Sequence, residues 1–226
     1  MKKPIDRLRT APDRTLHPGA AAEVLGGLAA RLGRKLPDDH LALLAETDGV
    51  EVAGGYLRLF GAADLVAWNE PGCWKFAWPE PVRGHLCFAE TGLGDQYAYA
   101  LADDSIVRID GQDAVIEPHA ESFAEFLEDE LLECAVSHYD PEMVGARARL
   151  GDLASHELAT YLPPLLLGGP RSPERLVKMQ ARAVMIAQGD VATQVAAAPR
   201  GALVSGLEPY VDKEGRGRLR IRWARN

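Results

Sequence analysis

The sequence predicts an α+β fold: a mixed or antiparallel sheet packed by helices, with a smaller, mainly helical C-terminal part. Three observations predict it. Residues 85–117 hold four short apolar runs separated by turn residues, the pattern of consecutive strands. Helical apolar spacing flanks that block, over 19–33, 37–48 and 121–136. Beyond residue 138 the texture changes to a proline-led helix start, a proline pair and an arginine-rich alternating tail. The implied organisation is an α+β domain over 1–138 and a C-terminal subdomain over 139–226 packed on it.

Ala22, Leu25, Leu28, Ala29 and Leu32 recur near helical spacing between Gly19 and Gly33. Leu36-Pro37-Asp38-Asp39 opens a second helix. Proline suits a first helical position, and the two carboxylates complement the positive dipole end. Leu41, Leu44 and Ala45 form its buried stripe, and Gly49 stops it. Gly54-Gly55 turns into a strand over 56–60, and 62–68 reads as a short helix. Pro71-Gly72 and Trp78-Pro79-Glu80-Pro81 bracket a loop holding Trp74, Phe76 and Trp78. Strands are expected at 85–89, 96–101, 105–109 and 114–117, divided by Gly92-Leu93-Gly94-Asp95, Asp103-Asp104 and Gly111-Gln112-Asp113. An amphipathic helix follows over 121–136, with Phe123, Phe126, Leu127 and Leu131 inward.

Asp140-Pro141-Glu142 is a strong helix start and Gly151 a stop. The proline pair in 161–169 forbids a long helix and predicts a buried extended or turn segment. Ser172-Pro173-Glu174 is expected to cap a helix running towards Gln188. Arg216 to Trp223 alternates with period two, arginines on one face and Leu219, Ile221 and Trp223 on the other, as in a half-buried strand. Its arginines suit edge protection or pairing with the chain's own acidic block.

With 226 residues and 47% hydrophobic content, the chain can bury one large core or two modest ones. No stretch approaches the ~20 apolar residues of a membrane span, and Pro4-Ile5-Asp6-Arg7 is no signal peptide. A cytoplasmic location is expected. Three scattered cysteines, Cys73, Cys87 and Cys134, describe no disulfide framework and fit a reducing compartment.

The net charge of -8 is unevenly placed. Residues 1–85 carry 11 charges of each sign, whereas Glu90 to Glu133 holds 13 acids and one base, Arg108. Such a field repels nucleic acid and attracts a basic protein surface.

Chemistry-bearing patterns are missing. His85-Leu86-Cys87 with Cys73 lacks the paired spacing of a zinc site, and His156-Glu157 lacks a second histidine. Ser137-His138-Tyr139-Asp140 holds triad residue types only as neighbours, and there is no nucleophile elbow. Gly92-Leu93-Gly94-Asp95 lacks the third glycine of a phosphate loop. No catalysis, metal, cofactor, nucleic acid or membrane partner is expected.

Three stretches together resemble immunity proteins of bacterial type VI secretion, built from a GAD-like N-terminal region and a C-terminal domain of its own. The first is Leu36-Pro37 followed by Gly54-Gly55-Tyr56-Leu57-Arg58-Leu59-Phe60. The second is Ala89-Glu90-Thr91-Gly92-Leu93-Gly94-Asp95-Gln96-Tyr97-Ala98-Tyr99. The third is Leu150-Gly151-Asp152-Leu153, then Glu157, then Pro163-Pro164-Leu165-Leu166-Leu167-Gly168-Gly169. The resemblance spans Leu36 to Gln188. Glu90 stands where the family often has arginine, and His156, Ala159 and Thr160 depart from its usual residues. The first half is also similar to the SUKH superfamily of Smi/Knr-type proteins, many of which are immunity proteins.

Both resemblances imply stoichiometric inhibition of a cognate toxin, and the acidic window points to a basic, nuclease-type effector. The expected contact residues are Glu90, Asp95, Asp103, Asp104, Asp113, Glu128 and Asp129, with Trp74 and Trp78 from the aromatic loop. The rival readings are a Smi/Knr-type regulatory scaffold without a toxin partner and a hydrolase using acids near Asp95.

Overall fold

The computed structural model describes residues 4–137 and 140–224. The boundary expected between 138 and 139, and the middle of the Ser137–Asp140 stretch, lie outside the described residues.

Seven strands form one antiparallel sheet in sequential order: β1 (Arg14–Leu16), β2 (Val50–Val52), β3 (Leu57–Leu59), β4 (His85–Thr91), β5 (Gln96–Ala100), β6 (Ile106–Ile109) and β7 (Ile116–Ala120). Short turns join β2 to β3 and β4 through β7, where antiparallel neighbours need only a few connecting residues, whereas helical connections lead from β1 to β2 and from β3 to β4. At the β4–β5 turn Gly94 takes a φ of 97°, a backbone state that glycine adopts without steric cost.

Helices α1 (Pro4–Thr10), α2 (Ala22–Leu32), α3 (Asp38–Glu46) and α4 (Ala62–Asn69) precede or interrupt the sheet, and a short α5 (Glu80–Arg83) follows the aromatic loop. Helix α3 starts one residue later than expected, with Pro37 as its N-cap. Helix α6 runs over 123–137 and contains a π-helical stretch, Leu127–Leu132. Its start is fixed by Ser122, whose Oγ accepts from the Glu125 amide at 3.2 Å, while Glu125 Oε2 accepts from the Glu121 amide at 2.7 Å. Phe126 of α6 packs on Tyr97 of β5, ring centroids 5.0 Å apart. That contact covers one face of the sheet.

The C-terminal part carries helices α7 (Pro141–Leu150) and α8 (Ala181–Ala197), with Asp140 capping α7 through the Glu142 and Met143 amides. It also carries two hairpins, β8 (Glu157–Tyr161) with β9 (Leu176–Gln180), and β10 (Val204–Val211) with β11 (Gly217–Trp223). Two expectations are corrected here. The helix expected from Ser172 towards Gln188 is a 3-10 turn, Pro173–Arg175, then strand β9, then α8. Residues 162–169 are not buried but exposed to half-buried, with a 3-10 turn at Leu165–Leu167.

One contiguous hydrophobic core joins both parts, from Ile5 and Leu8 to Val184, Met185 and Ile186. Trp78 is its mortise: the indole Nε1 donates to the Met185 carbonyl at 2.7 Å. Gly189, one turn further along α8, leaves the room, since a Cβ there would lie 2.3 Å from the ring. Among the described residues, no helix is long and apolar enough to cross a membrane.

Candidate functional site

Strand register places a polar row across the sheet. Glu51 of β2 faces Arg58 of β3, Arg58 faces Glu90 of β4, and Glu90 faces Gln96 of β5. Directly opposed residues share a face, so four polar side chains stand in line on the side away from α6. Three of the four, Arg58, Glu90 and Gln96, are bonded together. Arg58 Nη1 donates to Glu90 Oε1 at 3.0 Å, Gln96 Nε2 donates to Glu90 Oε2 at 3.2 Å, and Trp68 Nε1 donates to Gln96 Oε1 at 2.7 Å. Arg58 also reaches the C-terminal part, donating to the carbonyls of Ala154 (2.7 Å), Ser155 (3.0 Å) and Glu157 (2.8 Å). Burial pushes the Glu90 carboxyl up to about 7, against the opposing pull of Arg58 and Gln96. Beside this row, β2, β3, α4 and the segments 155–156 and 180–182 enclose a cleft of about 320 Å³.

The expected contact residues divide by burial. Trp74 and Trp78 are fully buried core residues, in a ring chain Phe60–Trp68–Trp74–Trp78 with centroids about 6 Å apart, so neither reaches a partner from the surface. Glu90 is buried on Arg58. Asp95 is buried too: its carboxylate accepts from Arg108 Nη2 at 2.5 Å and from the Gly111 amide at 3.0 Å, tying the β4–β5 turn to the β6–β7 turn. These four are structural, because a desolvated carboxylate needs a cation or amides and a large indole gains most from burial.

Asp103, Asp104, Asp113 and Asp129 are exposed, as expected of solvated turn and helix acids. Asp104 pairs with Arg34, Asp113 with Arg171 at 2.8 Å, and the half-buried Glu128 with Arg7. Glu117, Glu121 and Glu125 are also exposed. The exposed acids therefore rim β6 and β7, at the free edge of the sheet, and run on along α6.

The arginine-rich strand does not pair with the acidic window. Arg218 binds Asp190 of α8, Arg216 binds Asp212 at 2.7 Å, and the Arg216 guanidinium lies 3.7 Å from the Phe76 ring centroid. Asp190 Oδ2 accepts the Leu219 amide at 2.8 Å and Gln194 Oε1 the Ile221 amide at 2.8 Å, so α8 saturates this edge of β11.

Arg58, Gln96 and Glu51 were missed as a group. The available signal was a lone charge in each of two short apolar strands, Leu57-Arg58-Leu59 and Ala89-Glu90-Thr91, with opposite signs. Such charges buried on neighbouring strands are stable only as a pair.

Residues 19–129 match the SMI1 / KNR4 family (SUKH-1), just under half of the chain, and this supports the SUKH-like reading of the first half. The fold is similar to that of a solved protein, Atu4351 from Agrobacterium tumefaciens, with a TM-score of 0.55, 14% identity and 96% of each chain covered. At that identity the likeness concerns the fold alone. No curated protein matches the chain by sequence.

Proposed function

We propose that the protein is an immunity protein that binds a cognate bacterial toxin stoichiometrically and occludes it, without catalysis of its own. The SUKH-type match over 19–129 supports a binding role. The resemblance to type VI secretion immunity proteins, with a GAD-like region over 1–138 and a C-terminal domain over 139–226, supports a toxin as the partner and the cytoplasm of the producing cell as the place.

The observation that carries this reading is the sorting of the acidic window. Its buried members, Glu90, Asp95 and Glu130, are matched to Arg58, Arg108 and His119. Asp103, Glu117, Glu121, Glu125 and Asp129 stand exposed around the β7 edge and α6. Their excess of one sign steers a basic partner, such as a nuclease-type effector, towards that flank.

Co-expression with the toxin encoded beside its gene is the direct experiment. Protection of growth and a one-to-one complex on gel filtration are expected. Unprotected cells and no complex would favour a Smi/Knr-type regulatory scaffold instead.

A further inference from the structure

The two edges of the β10–β11 hairpin are treated differently. Leu219 of β11 turns both backbone groups to α8, its amide donating to Asp190 Oδ2 at 2.8 Å and its carbonyl accepting from Gln194 Nε2 at 2.8 Å. The Ile221 amide likewise donates to Gln194 Oε1. Leu219 and Ile221 therefore take no ladder bonds with the residues opposite them on β10, Pro209 and Leu207. By alternation the backbone groups of Leu207, Pro209 and Val211 point off the hairpin on its other side, where they make no hydrogen bond among the described residues. One edge is saturated, and the other, eight residues long, is bare. A bare edge is a template for a further strand. Pro209 narrows what it accepts, since it offers a carbonyl there and no N–H.

Charge complementarity identifies the strand that fits as a second β10. Glu208 and Arg222 are both exposed, and neither makes a side-chain hydrogen bond or ion pair among the described residues. The Arg222 guanidinium lies over Gly206, with Nη2 3.5 Å from where a Cβ would stand, so it reaches over β10 towards the bare edge. Antiparallel pairing of two copies centred on Leu207 sets Glu208 of each opposite Gly206 of the other. With no side chain at Gly206 to intervene, that carboxylate meets Arg222, and the pair forms twice. The same register brings Leu203 of each copy near Val211 of the other. At 67% and 69% exposure these are the two most exposed large apolar residues of the described chain. Leu207 meets itself at the axis and exchanges two backbone bonds; the donor that Pro209 lacks falls off the axis, which shortens the ladder without breaking its centre. A strand of arbitrary sequence gains the backbone bonds but neither the paired charges nor the apolar ends.

We infer that two copies of this chain pair through β10, antiparallel and about a two-fold axis, to give a four-stranded sheet in the order β11-β10-β10-β11. The interface is isologous, so it closes on itself as a dimer and does not propagate. One short strand per copy is a small contact, and the dimer is correspondingly weak. The pairing uses no residue of β7 or α6. It is therefore independent of the toxin-binding reading, and a dimer carries two acidic flanks.

The test is a charge swap on the full chain, read by sedimentation velocity. The wild type should show a reversible monomer–dimer equilibrium with a dissociation constant on the order of 10–100 µM. Arg222→Glu alone and Glu208→Arg alone, both at exposed positions, should each weaken self-association at least about tenfold, because like charges then face each other twice. An equimolar mixture of the two variants should regain the dimer, since one copy of each restores both opposite-charge pairs. In hydrogen-exchange NMR on the wild type, the Leu207 amide should gain protection as concentration rises. A wild type that stays monomeric over this range overturns the inference. So does a dimer that both reversed variants form as readily, a mixture no better than its components, or a Leu207 amide whose exchange is independent of concentration.

Discussion

Arg58 of β3 donates to Glu90 of β4 at 3.0 Å, and each side chain is 4% exposed. The same guanidinium holds the carbonyls of Ala154, Ser155 and Glu157, so one buried cation stitches the sheet to the C-terminal part. Breaking a buried pair from one side strands a charge, which is costlier than removing both partners. Arg58→Met is expected to lower unfolding free energy by about 3–5 kcal/mol in urea titrations. Arg58→Met/Glu90→Leu should lose less than the sum of its single variants. Additive losses would show that the two side chains are not coupled.

Acid and base act on two buried groups in opposite directions. Burial holds His40 down to about 3, with its ring stacked on Phe123 at 4.2 Å. A folded value below the ordinary 6.5 gives stability that is present above pH 6.5 and drains away as pH falls towards 3. Glu90, raised from 4.5 to about 7, gives stability that is full below 4.5 and lost as pH rises towards 7. Urea midpoints measured from pH 4 to 8 should therefore show a weaker acid-side loss in His40→Phe than in the wild type. Glu90→Gln should lack the component that declines between about 4.5 and 7. Parallel pH curves for wild type and variants would refute both assignments.

Two helical glycines should respond oppositely to alanine. Gly189→Ala places a Cβ 2.3 Å from Trp78, so a loss of about 1–3 kcal/mol is expected from overpacking. Gly26 is exposed within α2, and a Cβ there would meet nothing within 4 Å. Gly26→Ala should therefore gain about 0.5–1 kcal/mol through helix propensity. Thermal melts of the two variants on either side of the wild type are the expected outcome.

At the β4–β5 turn, Gly94→Val must take a φ of 97° and meets Gln188 Oε1 at 3.1 Å, for a cost of about 1–3 kcal/mol. Asp95→Asn should cost about 1–3 kcal/mol as well, because the carboxylate binds Arg108 and the Gly111 amide rather than its own turn. An unchanged melting temperature in either variant would contradict the structural role of this turn.

The meander was legible because turn residues such as Gly94-Asp95 and Asp103-Asp104 fall between short apolar runs, and sequential strands with tight turns can only pair as neighbours. Helix α7 was legible from Asp140-Pro141, a cap and a first-position proline. Strands β8 and β9 were not. Each has five residues, and they pair across an intervening proline-rich loop, so no local alternation announces them. The tryptophans misled for a different reason: an aromatic-rich loop reads alike whether it covers a core or a partner, and only the room left by Gly189 decides it. Charge counting located the acidic window but could not separate Glu90 and Asp95, whose partners lie on other strands, from the solvated acids around them.

Binding through the acidic flank is tested most directly by association kinetics with the purified cognate toxin, inactivated for handling. Raising salt towards physiological strength shortens the Debye length to roughly 8 Å and screens long-range attraction. Association should slow markedly while dissociation changes little. Glu117→Lys/Glu121→Lys/Asp129→Lys, all exposed positions, should weaken binding without lowering the melting temperature. Association insensitive to salt, with full protection retained by the triple reversal, would contradict the account.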